Sequence, residues 1–356
     1  MAARKKGHSP IDGIRSSSIP RTPVATIPCA GMTRPRVLVL LNRKSGTLAN
    51  SLTGDETESI ASAFASAGVD ADVQAADPPN ARRQVDEALK AGFTAIVVGG
   101  GDGTVNAIAN AVAGTDLIFG VLPLGTHNHF AKELGVPAEL PAAVAAVAGA
   151  LNNNAAELLD LAEVNGVLLL NFSGIGLHPQ VVEERDIQHK QIRRFALVRN
   201  LLRKFTKPLS MVFAFFKSIS RIRLLRLYID ANGKQTVVTT PAVIVGNNVH
   251  QMEVFGIAEL SVCRRDVMNV YIARVRRPSG IIRLLLAAVT RSLGKMREFE
   301  CLATTDLTIR YRRPTLKVSI DGEVMRLQTP LRYRIRTGAL RVLQMPAVDA
   351  AVSSEE

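Results

Sequence analysis

Two glycine-rich turns contain the residues whose types and spacing could do chemistry. Gly99 to Thr104 follows a short apolar run, and Pro123 to Phe130 follows a second one. Apolar residues at helical spacing come next, so the pattern predicts strand, turn, helix, strand, turn and helix. A glycine backbone can adopt positive φ and can approach a ligand closely. A helix that starts at Thr104 would also point free N–H groups and its positive dipole end at that ligand, and phosphate is the natural occupant.

The two turns match neither of the common phosphate-binding motifs. No Gly-Lys-Ser/Thr follows them, as a Walker loop requires, and the glycines do not give the G-x-G-x-x-G spacing of a dinucleotide site. One such turn would be explained best as a tight connection between a strand and a helix. Two turns, each closing a buried strand and each followed by Thr and Asn, favour a polyphosphate site at the carboxyl ends of parallel strands.

Composition and charge narrow the class of protein. The chain has 356 residues, 47% of them hydrophobic, and three widely separated cysteines, which indicates a sizeable core and a reduced cytosolic protein. The net charge of +13 is uneven, since residues 34–186 carry −9 and residues 187–346 carry +21. The sequence has no apolar run of about 18 residues, so it predicts no transmembrane helix. Residues 1–33, which show no secretory signal, and 347–356 are expected to be tails, the first disordered.

The periodicity of residues 34–156 predicts an α/β domain. Residues 36–41 and 69–75 have the pattern of strands, and residues 81–91 that of a helix before the central strand. This alternation is typical of a parallel sheet with helices on both faces.

The pattern of residues 157–339 predicts a mostly antiparallel β domain. Short alternating or β-branched runs are separated by turn residues, which fits a β-sandwich. Asn165-Gly166 and Asn232-Gly233 are hairpin signals. Asp321-Gly322 is a third, and on the pattern alone an ordinary turn is the preferred interpretation there.

Both glycine turns also carry a resemblance to a known family. Gly100-Gly101-Asp102-Gly103-Thr104, with Pro123-x-Gly125-Thr126-x-Asn128-x-Phe130-Ala131 after it, resembles the diacylglycerol kinase catalytic family, which includes bacterial lipid kinases and sphingosine kinases. The resemblance runs from about residue 34 to 345. It implies an α/β nucleotide-binding domain like that of NAD kinases, a β-sandwich lipid-substrate domain, and a cleft between them. It also implies that residues 340–346 return to complete the first domain.

The resemblance implies a set of site residues. ATP would be bound by three loops, through Asn42, Ser45, Gly46, Gly100, Gly101, Asp102, Gly103, Thr104, Val105, Asn106, Gly125, Thr126 and Asn128. Asp102 would organise Mg²⁺ and phosphate. Glu323 would be the catalytic base, because a carboxylate beside a hydroxyl and the γ-phosphate can accept the hydroxyl proton. His129, Asp160 and His178 would line the active site. The alternative for Asp160 is a carboxylate at the edge of a strand, and the family match favours the functional role; the alternative for the turn at Asn42 is an ordinary polar turn.

Three of the departures from the family pattern bear on the acceptor and on the structural metal. His129 and His178 stand where many members have Asp. Arg265 stands where several bacterial members have an Asp that helps to hold a structural Mg²⁺. A cation cannot ligate Mg²⁺, so that metal site is in doubt. The histidines would alter what a lipid head group or metal meets, which suggests an acceptor other than diacylglycerol.

A strongly basic stretch lies inside the second domain. Residues 187–229 contain 11 Lys and Arg and neither Asp nor Glu, and their apolar residues recur at helical spacing. A basic helical insertion at 187–226 would be a membrane-surface element. The alternative is that its apolar faces pack on the sandwich and its cations form a solvated rim. Nucleic-acid binding is not expected, because no aromatic-interleaved basic strand is present.

Together with these observations, the resemblance implies an ATP-dependent lipid kinase of phospholipid metabolism that phosphorylates a hydroxyl of a membrane lipid, diacylglycerol-like or related. We expect a cytoplasmic protein, peripherally associated with anionic membrane, and the sequence leaves a homodimer open. One alternative is a soluble kinase of the NAD-kinase type, which the basic stretch argues against. Another is a catalytically impaired nucleotide- or lipid-binding protein, which the departures at His129, His178 and Arg265 favour and the retention of Asp102 and Glu323 opposes.

Overall fold

The computed structural model describes residues 35–42, 54–180, 182, 224–247, 267–275, 277–290, 292–293, 296 and 298–345. Ser45, Gly46 and Arg265 lie outside the described residues, as do both predicted tails and the basic insertion up to residue 223.

The first part of the described chain alternates strands and helices. Its elements are β1 (Arg36–Leu41), α1 (Gly54–Ser66), β2 (Asp70–Ala75), α2 (Ala81–Lys90), β3 (Ala95–Gly100), α3 (Asp102–Val112), β4 (Ile118–Pro123), α4 (His129–Glu133) and α5 (Leu140–Asn152). The four strands pair in parallel in the order β2-β1-β3-β4. Apolar residues of α1, α2, α3 and α5 share one core with these strands, and every residue of the central strand β3 is buried. Parallel strands end at the same edge, which brings the turns after β3 and β4 together.

The second part consists mainly of strands. Its elements are β5 (Ala156–Val164), β6 (Val167–Leu168), β7 (Phe172–Gly176), β8 (Leu225–Ala231), β9 (Lys234–Thr240), β10 (Ala242–Gly246), β11 (Met268–Ala273), α6 (Pro278–Val289), β12 (Phe299–Thr304), β13 (Asp306–Arg310), β14 (Thr315–Ile320), β15 (Glu323–Gln328) and β16 (Leu331–Leu343). Six of the strands form an antiparallel sheet in the order β12-β11-β10-β7-β14-β15. Val318 of this sheet and Tyr333 of β16, which lies outside it, are buried in the same apolar cluster. The predicted fold class, an α/β domain followed by a mostly antiparallel β domain, is confirmed.

The long strand β16 joins the two parts of the chain. It pairs antiparallel with β13 and β5, and Val342 near its end pairs in parallel with Phe119 of β4. The segment that the resemblance expects to return to the first domain is part of this strand. A bulge interrupts the strand between Arg336 and Leu340, where Gly338 has φ 56°. The domain boundaries at 156 and 339 stay a prediction.

Three two-residue hairpins occur where the sequence signals them. Asn165-Gly166 connects β5 to β6, Asn232-Gly233 connects β8 to β9, and Asp321-Gly322 connects β14 to β15. All six residues have positive φ, between 47° and 89°. Positive φ at both central positions defines the type I′ turn, whose twist matches that of the flanking strands. The third hairpin matters most for function, because it places Glu323 at the first position of β15.

None of the described helices is long and apolar enough to cross a membrane.

Candidate active site

The two glycine turns touch each other at the carboxyl ends of β3 and β4. In the parallel register Gly100 lies opposite Pro123. A Cβ atom built on Gly125 would lie 2.5 Å from the Cα of Gly101 and 3.2 Å from the carbonyl oxygen of Gly100. Real side chains do not approach a backbone that closely, so only glycine allows the two turns to meet.

The structure corrects the reason expected for these glycines. Gly100, Gly101, Gly103 and Gly125 all lack positive φ, so the expectation of left-handed backbone is wrong there. Gly100, Gly103 and Gly125 allow close approach instead, because a Cβ atom at each would lie within 3.0 Å of a neighbouring atom. The left-handed residue of the second turn is Asn128, at φ 52°. Asparagine tolerates this conformation better than most residues.

Asn128 holds the second turn closed from within. Its Oδ1 accepts a hydrogen bond of 2.8 Å from the Gly125 N–H, and its Nδ2 donates to the carbonyl oxygens of Gly125 and Pro123 at 2.9 and 3.2 Å. The side chain is therefore a brace of the turn, whereas Thr126 is exposed at the tip. Asn128 thus shapes the loop that the resemblance assigns to ATP. Of Asn128 and Thr126, only Thr126 has an exposed side chain.

Asn42 and Thr104 connect the first strand to the first glycine turn. The Nδ2 of Asn42 donates to the Oγ1 of Thr104 at 2.6 Å, and Thr104 is buried. The backbone N–H of Asn42 donates to the Gly99 carbonyl oxygen. Val105 is buried in the core of the α/β part, so its side chain serves packing. Thr104 likewise packs into the base of the turn and positions α3.

Asp102 begins α3 and links the two turns. Its Oδ1 accepts a 2.9 Å hydrogen bond from the backbone N–H of His129, the first residue of α4. The imidazole rings of His129 and His127 stack with centroids 5.6 Å apart, and both histidines are exposed. Two exposed, stacked imidazoles therefore belong to the second turn and to the start of α4, whose backbone is bonded to Asp102.

Glu323 lies against the same helix terminus. A Cβ built on Gly103 would be 2.5 Å from the Oε1 of Glu323, so the carboxylate rests on the bare Cα of Gly103. Glu323 is exposed as a residue, yet desolvation of its carboxyl raises the pKa above the ordinary value. The two predicted catalytic residues, Asp102 and Glu323, thus both lie at the N-terminus of α3 although they are far apart in the sequence.

Asp321 is the residue that sequence reasoning missed. It is 9% exposed, and its carboxylate accepts hydrogen bonds from the N–H groups of Leu170, Asn171 and Phe172 at 2.8–2.9 Å. The Nδ2 of Asn106 in α3 donates to it as well. Burial raises the pKa of Asp321 to about 6, although these hydrogen bonds lower it. The Asp-Gly signal predicts the turn; no sequence pattern indicates that its carboxylate is buried.

The raised pKa of Asp321 predicts a pH-dependent stability. In the folded protein Asp321 keeps a proton over a range, from 3.8 to about 6, in which the unfolded chain has released it. Its contribution to the free energy of unfolding is therefore fully present below the lower value and is lost as the pH rises through the upper one. Urea unfolding at a series of pH values should show this fall in the wild type and in an Asp116→Asn control. If Asp321→Asn, which cannot titrate, shows the same fall, another group causes it.

His178 and Asp160 lie in two different places. The Nδ1 of His178 is 2.8 Å from the Oγ of Ser319, and its ring meets Phe172 edge-on at 5.0 Å. His178 thus packs under the Asp321 hairpin. The Oδ1 of Asp160 accepts a hydrogen bond from the Gly338 N–H in the bulge of β16, several residues before the position that pairs with Phe119 near the start of β4. The structure therefore puts Asp160 near the amino end of β4, away from the glycine turns.

The resemblance assigns to Asp102 a role in organising Mg²⁺, and the described residues allow the fit to be tested. The described residues contain no cluster of three or more His, Cys, Asp or Glu that could bind an ion without help. Mg²⁺ commonly takes one or two protein carboxylates and completes its shell with substrate phosphates and water. A single carboxylate at the N-terminus of α3 fits that mode of binding.

Gly103→Ala is expected to keep the fold and lower turnover. The backbone of residue 103 suits alanine, but the new Cβ would take the space of the Glu323 Oε1. The flexible Glu323 side chain can move away, so unfolding should change little while the carboxylate is displaced. A displacement of about 1 Å can cost about 10²-fold in rate. Turnover and thermal unfolding, measured together with Gly149→Ala as a control with open space around it, decide the matter. Loss of folded protein, or full activity, would contradict this account.

Comparison with known proteins shows what the chain is similar to. The family model of the diacylglycerol kinase catalytic domain matches residues 36–162. A protein of Staphylococcus carnosus, provisionally named a lipid kinase, is 30% identical over 247 residues, which is 68% of this chain and 74% of that protein. A YegS-like protein of Pseudomonas aeruginosa, also provisionally named a lipid kinase, is 35% identical over 164 residues, which is 45% of this chain and 51% of that protein.

Solved structures agree on the fold. The crystal structure of a protein from Bacillus anthracis str. Sterne, provisionally named a diacylglycerol kinase, has a TM-score of 0.62 at 21% identity and covers 88% of this chain and 98% of its own. At that identity the likeness concerns the fold alone. The sequence relatives add the family, and the chain belongs to the diacylglycerol kinase catalytic domain family of lipid kinases.

Proposed function

We propose that the protein transfers the γ-phosphate of ATP to a hydroxyl group of a membrane lipid. The observation that carries the proposal is the position of Glu323, whose carboxylate rests on Gly103 at the N-terminus of α3. Asp102 lies next to it, at the place where the two glycine turns touch. A candidate base, a candidate metal ligand and a phosphate-binding helix terminus therefore share one place.

The backbone of the two turns is suited to the triphosphate. α3 is eleven residues long and begins at the first turn, so its unpaired N–H groups and positive dipole end face the turns. Asp102 would hold Mg²⁺, which when bound neutralises charge on the phosphate oxygens. The open side chain of Thr126 and the exposed His127 and His129 stand at the outer rim. This leaves the side nearest Glu323 for the lipid hydroxyl.

Glu323 would act as the general base of the transfer. As the lipid oxygen bonds to the γ-phosphorus, the bond to the β–γ bridging oxygen breaks and ADP leaves with that electron pair. The hydroxyl proton passes to the Glu323 carboxylate. Desolvation raises the pKa of Glu323, which makes its carboxylate a stronger base than one in water, provided that it is ionised.

Incubation of the purified protein with labelled ATP, Mg²⁺ and vesicles of total lipid extract tests the proposal. We expect label in one lipid class, which mass spectrometry of the product would identify. NAD supplied in place of lipid tests for the NAD-kinase alternative. Tight ATP binding without transfer to any acceptor would favour an impaired binding protein and contradict the proposal.

We also propose that the basic segment brings the enzyme to its substrate. Residues 187–229 carry 11 cations and no Asp or Glu, and each Lys or Arg near an anionic surface contributes about 1 kcal/mol. The proposal rests on the sequence, because residues 187–223 lie outside the described residues. Replacing Arg193, Arg194, Arg199 and Arg203 by Glu should reduce sedimentation with anionic vesicles and spare ATP binding. Equal sedimentation of variant and wild type at low salt would refute it.

A further inference from the structure

The Asp321 carboxylate connects two parts of the chain that are far apart in sequence. Its Oδ1 accepts from the N–H groups of Asn171 and Phe172, and its Oδ2 accepts from that of Leu170. The return contact is made by the Asp321 N–H, which donates to the Phe172 carbonyl oxygen at 3.0 Å. The hairpin between β14 and β15 is thus fixed to residues 170–172 through four hydrogen bonds.

Asn106 adds α3 to this arrangement. Its Nδ2 donates to the Asp321 Oδ2, while its Oδ1 accepts at 3.1 Å from the Nδ2 of Asn110, one helical turn further on. Asn110 also exchanges hydrogen bonds with the backbone of Leu168. The bond from Asn110 sets the orientation of the Asn106 amide, so that its NH₂ group faces the carboxylate. We refer to Asn106, Asp321 and the backbone of residues 170–172 as the carboxylate clamp.

The carboxylate clamp is close along the chain to Gly103 in α3 and to Glu323 in the hairpin. Gly103 precedes Asn106 by three residues in α3, which puts both on one face of the helix. Glu323 follows Asp321 by two residues and pairs with Ile320 across the hairpin. A shift of the hairpin relative to α3 would therefore change the position of Glu323 over Gly103 directly.

We propose that Asn106 and Asp321 are positioning residues, which fix the catalytic carboxylate of Glu323 over the N-terminus of α3. The catalytic part of this inference rests on the proposed kinase function. It reassigns Asn106, which the family resemblance places among the ATP-binding residues. The Asn106 amide is already engaged on both of its polar atoms, by Asp321 and by Asn110. A role in ATP binding would require it to leave a buried carboxylate, which is costly.

Asn106→Ala separates the two roles. If Asn106 positions Glu323, kcat should fall about 10- to 100-fold, since displacements of about 1 Å have effects of that size. The Kd for ATP should stay unchanged. Hydrogen exchange of the amides of residues 170–172 should become faster, because the carboxylate that accepts them loses a partner. Weaker ATP binding with unchanged exchange would overturn the proposal.

An exchange of the two side chains gives a test that simple destabilisation cannot mimic. Asn106→Asp alone sets two carboxyl groups against each other and should lower kcat more than Asn106→Ala does. Adding Asp321→Asn restores a donor–acceptor pair, with the direction of the bond reversed. The double variant should recover part of the lost kcat, although the Leu170 N–H loses its acceptor. Additive losses in the double variant would show that the pair does not act as a unit.

Asn165→Gly provides the matched control. Asn165 also makes two side-chain hydrogen bonds, to the Gln328 carbonyl oxygen and from the Arg332 N–H, and its φ of 49° suits glycine. It lies in the β5–β6 hairpin, outside the carboxylate clamp. We expect it to lower the unfolding temperature without changing kcat. A kcat loss equal to that of Asn106→Ala would mean that general destabilisation explains both.

The measurements also separate this inference from the proposed function. If the wild type phosphorylates no lipid, the function fails, but exchange and ATP affinity still decide on the clamp. Faster exchange at residues 170–172 and 323–324 in Asn106→Ala, with unchanged ATP affinity, would support it in an inactive protein too. Unchanged exchange there would overturn it whatever the activity.

Discussion

Glu323→Gln is expected to abolish lipid phosphorylation and leave ATP binding intact. The amide keeps the size and polarity of the side chain that rests on Gly103, but it cannot accept the proton of a lipid hydroxyl. Loss of a general base typically costs about 10²- to 10⁴-fold in rate. Turnover with labelled ATP and lipid vesicles gives kcat, and titration calorimetry gives the Kd for ATP. The expected result is a loss confined to kcat.

Two comparisons make this result specific. Glu58→Gln, at an exposed position of α1, makes the same chemical change away from the glycine turns and should behave like the wild type. In the wild type the acid limb of the rate–pH profile should lie above pH 4.5, because desolvation raises the pKa of the Glu323 carboxyl and only its ionised form is a base. If Glu323→Gln kept wild-type turnover, the proton would have to go elsewhere, and the mechanism proposed for this site would be wrong.

The glycine turns and the three hairpins could be predicted because they depend on neighbouring residues. Asn-Gly and Asp-Gly have one preferred turn between two strands, and positive φ at all six positions agrees with it. The apolar runs before the glycines are short and are bounded by turn residues, which favours buried strands. The same local signals gave the wrong reason for the glycines of the two turns, which do not have the positive φ expected of them. Glycine is required there because two turns contact each other, as at Gly125 and Gly101. Such a contact cannot be predicted from the sequence of either turn alone.

Long-range contacts explain what the sequence did not reveal about the site. Asp321 meets its backbone partners from about 150 positions away, at residues 170–172. No periodicity in either segment signals that meeting. Asp160 and Gly338 are 178 positions apart, and their contact draws Asp160 into the bulge of β16. Glu323 could be assigned from the sequence through family resemblance alone, because as the residue after an Asp-Gly turn it looks like any exposed strand residue.

β16 illustrates how tertiary structure changes the meaning of a break in a pattern. Gly338 interrupts the alternation of apolar and polar residues in this strand, and an isolated glycine inside a strand pattern suggests a bulge. In the structure β5 pairs with both halves, which holds them in line across the bulge. Since Val342 then pairs with Phe119, the strand that pairs with β5 and β13 also extends the parallel sheet of the α/β part. The position of one part relative to the other therefore depends on the continuous strand β16 and its pairing in the sheet, as well as on side-chain contacts.

Asp102→Asn is the second change with a large expected effect, and it separates two roles of one carboxylate. The Oδ1 of Asp102 accepts from the His129 N–H at 2.9 Å, and an asparagine oxygen can do the same. The fold of the two turns should therefore survive, whereas the negative charge that would hold Mg²⁺ is lost. We expect kcat to fall by about 10²-fold or more, as for the loss of other electrostatic groups at a transition state. The affinity for ATP should lose most of its dependence on Mg²⁺.

Asp102→Ala and Asp116→Asn complete this experiment. Alanine removes the hydrogen bond as well as the charge, so Asp102→Ala should add faster exchange of the His129 amide to the catalytic loss. Asp116 is exposed in the connection before β4, at the other end of that strand, and Asp116→Asn should leave both turnover and ATP affinity unchanged. Wild-type turnover in Asp102→Asn would show that the charge is not required. If Mg²⁺ kept its full effect on ATP binding in Asp102→Asn, another group would hold the metal, because the variant lacks only the Asp102 carboxylate.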